Sequence, residues 1–600
     1  SEAELELAGT SLLSFIHSHL QDKEDTKLDT TNGESFCPQQ LQWKITLMRC
    51  CILTNATPHQ LATYSVSSKR NADHVYNLLC DPNLMKEILI SDGPKYFRYT
   101  SMLQIYHSIL ASSSLSSVTS IHDNDEKKNN NNFTTIKTND IFHRLALAIA
   151  LEHAAPIEIF DTQITIDPIK RYHHYEMAYL NGELDESFST LSTWELRMVV
   201  NNDASDNEIQ WCRDMIRNYR PDHILHQNDQ WRYCNIVRSD VVYKAPAWIG
   251  NGCPRSYQQL ISGGGKCGPR AWMGRFACKS FGIPTWGVRQ PGHAAMSHWT
   301  KSGEWVICLG GPNWTKSGEW VICLGGPNWM KSYWEDRNGV DFELETRART
   351  FCGIGRHSGY NEEKDAYNYG EYEKNVFWLQ CIVEIHQEVQ IGLQNGNYLQ
   401  RPVDERLWSE LVLLQKKILA RYVTEKNVQR DGMFLHCNTK RNLANIIQER
   451  AAIEENCSFR DDGTIIIPAS LCRNLRQNGQ NVIQTKCFLP EGGNQIHVRG
   501  NACLEYTVNV PTTSLYTLRA RIVTVHARQN TLQVKVRDGS LPFFASGNGM
   551  NYELEIPYTK GYWEMTRPIT VELCQGINTV FFRSSENGSM TIKDFTLESI

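Results

Sequence analysis

From Gly463 to Ile600 the apolar residues fall on alternate positions, whereas before Val237 they fall three and four apart. Alternation belongs to a strand with one buried face and the longer period to an amphipathic helix. A chain that carries the two in separate blocks must build more than one kind of layer. In "CLEYTVNVP" the pattern puts Leu504, Tyr506, Val508 and Val510 on one face, and "LYTLRARI", "TLQVKVRDG", "PITVEL" and "NTVFFRS" repeat it. Such strands, with turn residues between them, predict an antiparallel β-sandwich of jelly-roll type over 463–600. "DHVYNLLCDPNLMKEILI", "DIFHRLALAIALEHA", "WELRMVV" and "EIQWCRDMIRNYRP" predict a mainly helical region over 1–237, interrupted by a polar, low-complexity loop near 112–133. Between these lie a Gly- and Trp-rich α+β core, 238–375, and a helical segment, 376–462, that packs on it. The 600 residues exceed what one core serves, so the fold class is α+β and multidomain.

The fifteen letters "WTKSGEWVICLGGPN" at Trp299–Asn313 recur unchanged at Trp314–Asn328. Structural repeats diverge, and one unit this short supports no solenoid. The identity therefore marks a recent duplication or an error in the sequence. It also creates the Asn313 sequon, and it makes Cys308 and Cys323 copies of each other.

A net charge of −5 gives no general attraction to nucleic acid or anionic lipid. "LALAIAL" is far shorter than the roughly 18 apolar residues of a membrane span. Nineteen cysteines without CxxC pairs argue against a zinc ribbon. Together with sequons at Asn55, Asn132, Asn456 and Asn587 they point to disulfides, glycosylation and a secreted, extracellular protein, and the start at Ser1 without a leader fits that expectation. "GGGK" lacks the P-loop spacing, and the adjacent His173 and His174 point apart on a helix, with no third metal ligand in sight.

The stretch that carries chemistry is "SGGGKCGPRAWMGRFACKSFGIPTW", from Ser262. Pro269 suits the first turn of a helix and Gly282 its C-terminal cap. Cys267 then stands at the positive end of the helix dipole, between Lys266 and Arg270, where thiolate is favoured over thiol. The glycines let backbone approach a substrate, and the Cys267 N–H faces a developing oxyanion. His293, in "RQPGHAAMSHW" on the second strand after the helix, is placed to carry the proton. His298, five residues on, falls on the other face of that strand.

This stretch resembles the core of the transglutaminase-like superfamily, part of the papain-like cysteine fold. The likeness runs over roughly Arg238 to Arg349 and rests on an order: Gly-x-Cys opening a helix, Gly-Ile-Pro closing it, a strand, then Gly-His-Ala. The resemblance implies Cys267 as nucleophile and His293 as general base and acid, acting on a protein or glycoprotein through a thioester, with no cofactor required. Hydrolysis, crosslinking and deglycosylation share that step. An Asp is usual on the following strand, but Leu309 or Leu324 stands there. Asn328 or Asn313 is left to orient the imidazole through its carbonyl, with Asp336 and Asp341 as charged alternatives. A non-catalytic extracellular matrix or filament component with a degenerate core is the rival reading.

The C-terminal strands, with "GYWEMTRPITVELCQGINTVFF", resemble carbohydrate-binding modules of families 6 and 35. That likeness implies a polysaccharide or glycan partner, Tyr562 and Trp563 as the stacking aromatics, and room for a Ca2+ ion in the sandwich. No nucleic-acid partner is expected.

Overall fold

The computed structural model describes residues 58–91, 93–112, 141–226, 231–244, 256–290, 293–300, 305–308, 319–323, 329–333, 456–527, 530–538, 551–586 and 588–600, with scattered positions before 58. The helices are α1 (Pro58–Val66), α2 (Lys69–Cys80), α3 (Pro82–Ile90), α4 (Tyr99–Ser112), α5 (Ile141–His153), α6 (Pro168–Leu180), α7 (Thr193–Val200), α8 (Asp206–Tyr219), α9 (Asn235–Asp240), α10 (Tyr257–Gly263) and α11 (Cys267–Ser280). Local chemistry sets many of their starts. Asp81 and Asp167 accept backbone N–H groups ahead of a proline at the helix start. Ser192 with Glu195, Ser205 with Glu208 and Ser256 with Gln259 close capping boxes. The "LALAIAL" run lies in α5, every residue of which from Leu145 to His153 is buried. Its apolarity on all sides belongs to a central helix, and among the described residues no helix is long and apolar enough to cross a membrane.

After α11 the chain forms an antiparallel sheet in the order β3-β2-β1-β4-β5. Its strands are β1 (Thr285–Gln290), β2 (His293–Trp299), β3 (Trp305–Cys308), β4 (Glu319–Cys323) and β5 (Trp329–Tyr333). The duplicated segments supply β3 and β4, one on either side of the β1–β2 hairpin. Cys308 pairs Met296, Met296 pairs Gly287 and Gly287 pairs Cys323, so the two copies sit in equivalent register across the sheet. One buried apolar cluster runs from Met48 through the helices to Ala295, Met296, Trp299 and Cys308. Residue 237 lies within α9, and the helices on both sides of it share this one core with the sheet.

The segment 376–462 lies outside the described residues up to 455, and so does the loop near 112–133 beyond Ser112. From Ser458 the chain is β-structure: β6 (Ser458–Phe459), β7 (Ile465–Pro468), β8 (Val482–Lys486), β9 (Asn494–Arg499), β10 (Cys503–Val510), β11 (Ser514–Val523), β12 (Asn530–Asp538), β13 (Asn551–Ile556), β14 (Glu564–Met565), β15 (Ile569–Leu573), β16 (Gly576–Ser584) and β17 (Ser589–Ser599). One sheet runs β10-β16-β12-β13 and the other is built around β11-β17-β7. Leu504, Tyr506, Val508 and Val510 all face inward, as the alternation predicts. Phe582 of β16 stacks on Phe595 of β17 at 3.9 Å between ring centres, which joins the two sheets through a second, separate core.

The sandwich rests on α8. Trp211 donates its indole N–H to the Lys560 carbonyl at 2.7 Å, and the Asn218 amide donates to the Gly561 carbonyl at 3.1 Å. Gly561 has φ +90°, and a Cβ there would lie 2.6 Å from Met215 Cγ, so this approach requires glycine.

Candidate functional site

Cys267 is the first residue of α11. Behind it Gly264 takes φ +74°, and a Cβ at that position would lie 2.7 Å from the Val242 carbonyl oxygen. The Gly265 N–H donates to that same carbonyl at 3.0 Å, which holds the glycine hinge against residues 241–243. The other end of α11 is closed by a Schellman turn. Gly282 at φ +81° donates to the Lys279 carbonyl at 2.9 Å, and the Ile283 N–H reaches Cys278 at 3.0 Å. Gly282 is therefore a C-terminal cap, and the helix begins and stops where the sequence places it.

Cys267 is a free thiol and partly exposed. Lys266 provides no side-chain cap, in contrast to the Ser and Asp caps of α2, α3, α6, α7, α8 and α10. The first-turn N–H groups are thus not taken up by the N-cap side chain. A Cβ built on Gly268 meets nothing within 4 Å among the described residues. The Arg270 guanidinium donates to the Val241 carbonyl and lies over the Tyr243 ring at 5.8 Å.

The relation of Cys267 to His293 follows from the direction of the elements. The chain turns back from α11 into β1, and the Trp299 N–H donates to the Pro284 carbonyl at 3.0 Å. The end of β2 therefore lies at the C-terminal end of α11. Fourteen helical residues at about 1.5 Å span much the same length as six strand residues at about 3.3 Å. The head of α11, with Cys267, then lies toward the edge where β1 finishes at Gln290 and β2 begins at His293, a pair in register. The His293 side chain lies outside the described atoms, as do residues Asn313, Asn328, Asp336 and Asp341. His298 sits at the opposite end and is buried, with Nδ1 3.0 Å from the Trp299 carbonyl.

A second group of sulfurs was not legible in the spacing. Cys234, His298 and Cys308 are buried with their ligand atoms within 4.8 Å of one another. Cys278 is hydrogen-bonded to Cys234. Hydrogen bonds from Cys278 and Cys308, with help from His298, hold the Cys234 thiol well below the ordinary range; burial and the adjacent Cys234 push Cys278 and Cys308 up. Cys80, Cys212, Cys267, Cys278, Cys457, Cys472, Cys487 and Cys503 are free thiols, so the expected disulfide framework is not built from them. Cys212, for one, is instead packed on a buried helix face.

Of the expected sugar contacts, Tyr562 is 45% exposed, while Trp563 is spent on the junction with the helices. The Trp563 indole N–H donates to Asn218 Oδ1 at 3.1 Å. Asn456 is exposed; Asn55, Asn132 and Asn587 lie outside the described residues. Beside this junction Asp240 is fully buried. Burial would raise its carboxyl, but a hydrogen bond from His526 and the Arg220 charge hold it well below the usual range.

No family model matches the chain, and no curated protein does. Solved structures similar to its C-terminal region are carbohydrate-binding modules. The C-terminal CBM6 of LamC, a marine laminarinase from Zobellia galactanivorans, is 18% identical over 23% of this chain and 99% of its own, with a TM-score of 0.18. A module from Cellvibrio mixtus lichenase 5A, in complex with cellotriose, is 16% identical over 22% of this chain and 96% of its own, with a TM-score of 0.18. The CBM35 from Cellvibrio japonicus Abf62 is 17% identical over 22% of this chain and 91% of its own, with a TM-score of 0.17. At these values the likeness is to an arrangement of strands and brings no ligand with it.

Proposed function

We propose that the chain is a transglutaminase-like cysteine enzyme of acyl transfer, with Cys267 as nucleophile and His293 as its proton carrier. The observation that carries this reading is a free, partly exposed thiol on the first residue of a helix with an uncapped head, toward the same edge as His293. The imidazole takes the thiol proton, and the sulfur attacks an amide carbonyl carbon. The oxyanion meets the N–H groups at the helix head, and the imidazolium protonates the departing amine. Water or a second amine then resolves the thioester. Asn328 is the side chain we assign to orient the ring.

The test is timed iodoacetamide labelling of the full chain at mildly acid pH, with the modified cysteines mapped by mass spectrometry. Cys267 should label much faster than the exposed Cys80, and His293→Ala should slow it. Equal rates at the two cysteines would leave the non-catalytic matrix role.

The sandwich is assigned a glycan-docking role through Tyr562, with Trp563 serving the joint; Tyr562→Ala should then abolish retention on a glycan array. Among the described residues the sandwich gathers no carboxylate cluster for Ca2+. For an extracellular address the support is the exposed Asn456 sequon, whereas the free thiols favour a reducing compartment. A mass loss on enzymatic deglycosylation of the native protein decides for the first, and an unchanged mass for the second.

A further inference from the structure

Four elements of the core converge on sulfur or imidazole at the C-terminal end of α11. Cys234 precedes α9, Cys278 lies in the last turns of α11, His298 is on β2 and Cys308 ends β3. Cys308 pairs Met296, so strand alternation puts it on the face that His298 shares. All four are closed off from solvent, at 0% exposure for each cysteine and 2% for His298. The Trp299 carbonyl accepts a hydrogen bond from His298 Nδ1 at 3.0 Å. A carbonyl has no proton to give, so Nδ1 carries the hydrogen and Nε2 keeps its lone pair. Metal-binding histidines are held in this way, with one nitrogen donating to backbone and the other to the ion.

We propose that Cys234, Cys278, Cys308 and His298 form a closed structural site for a zinc ion. Tetrahedral zinc, with sulfur at about 2.3 Å and nitrogen at about 2.0–2.1 Å, needs neighbouring ligand atoms about 3.4–3.8 Å apart. Cys234, His298 and Cys308 already lie within 4.8 Å of one another, and Cys278 is hydrogen-bonded to Cys234. Three soft thiolates with one imidazole suit zinc, whereas calcium and magnesium require oxygen ligands. The coordinated thiols release their protons to solvent as the ion enters. With all ligands from protein and no path to water, the ion supplies rigidity rather than chemistry. It pins α9, α11, β2 and β3 together, about 16 Å along the helix from Cys267, so this site and the proposed nucleophile stand or fall separately.

The full chain, expressed with zinc and purified without chelator, should hold one zinc per chain by elemental analysis. X-ray absorption at the zinc edge should show a sulfur-rich first shell with one nitrogen. Cobalt(II) in place of zinc should give thiolate-to-metal charge-transfer absorption with tetrahedral visible bands. Cys234→Ser, Cys308→Ser and His298→Ala should lose the metal, while Cys80→Ser retains it; strong chelation of the unmodified chain should lower its Tm. Should these variants fail to fold, the absorption spectrum of the unmodified chain still identifies the ligands. A folded chain that takes up neither zinc nor cobalt, full metal content in Cys234→Ser, an oxygen-only shell, or a disulfide between cluster cysteines in the unreduced chain would each overturn the site.

Discussion

His174 should make the helical region acid-labile, and His174→Gln should remove part of that lability. The buried Arg213 guanidinium donates to His174 Nε2 at 2.9 Å, so this nitrogen must be unprotonated in the folded chain. Burial, and next the Arg213 charge, bring the His174 pKa down to about 3 from 6.5. A folded pKa below the unfolded one means that the unfolded chain binds more protons as the pH falls. The stabilising difference is whole above pH 6.5 and is lost through the window from 6.5 down to 3. At pH 5 an unfolded pKa of 6.5 and a folded one near 3 correspond to a loss of about 2 kcal/mol, against about 0.2 kcal/mol at pH 7. His153 and His107 are also brought down to about 3 by burial and act in the same direction. Glutamine at 174 keeps an oxygen to accept from Arg213 but does not titrate. Urea unfolding followed by tryptophan fluorescence at pH 7 and pH 5 reads the effect. The variant should lose about 2 kcal/mol less than the unmodified chain between the two pH values. An equal loss in both would refute the assignment of a buried neutral imidazole.

Other expectations follow from single contacts. Gly282→Ala places a Cβ 2.5 Å from Phe188 Cδ2 at φ +81°, and the backbone strain alone should lower stability by about 1–2 kcal/mol in urea melts. Asp240→Leu should cost about 1–3 kcal/mol, because it removes the buried carboxylate that faces Tyr219 and His526, while Arg220 keeps its shorter pair with Asp222; calorimetry checks this. Phe582→Ala opens the stack on Phe595 and should cost about 3–5 kcal/mol, read in the sandwich transition. Trp563→Ala should lower the Tm at the joint with α8 and leave any glycan retention intact.

Elements were legible where a residue's role is local. The helix from Cys267, its stop at Gly282, the hairpin after it and the alternating face of Leu504, Tyr506, Val508 and Val510 all follow from neighbours a few positions away. Caps, turns and periodicity are short-range chemistry, so residue order alone is enough to write them. Trp563 shows the limit: an aromatic between strands looks the same in sequence whether it meets a ligand or another layer. Only the approach of α8, permitted by Gly561, turns it toward Asn218.

The order of residues by itself determined that this chain builds a helical part, a Cys-headed helix running into an antiparallel hairpin, and a sandwich with its own core. Tertiary structure alone decided that the helices and the Cys267 layer share one core, that Trp563 closes a joint, and that Cys234, His298 and Cys308 meet. The physical reason is distance along the chain. A cap or a strand face is set by residues within a turn or two, whereas a cluster gathered from three elements depends on how whole layers pack, and no spacing in the sequence encodes that.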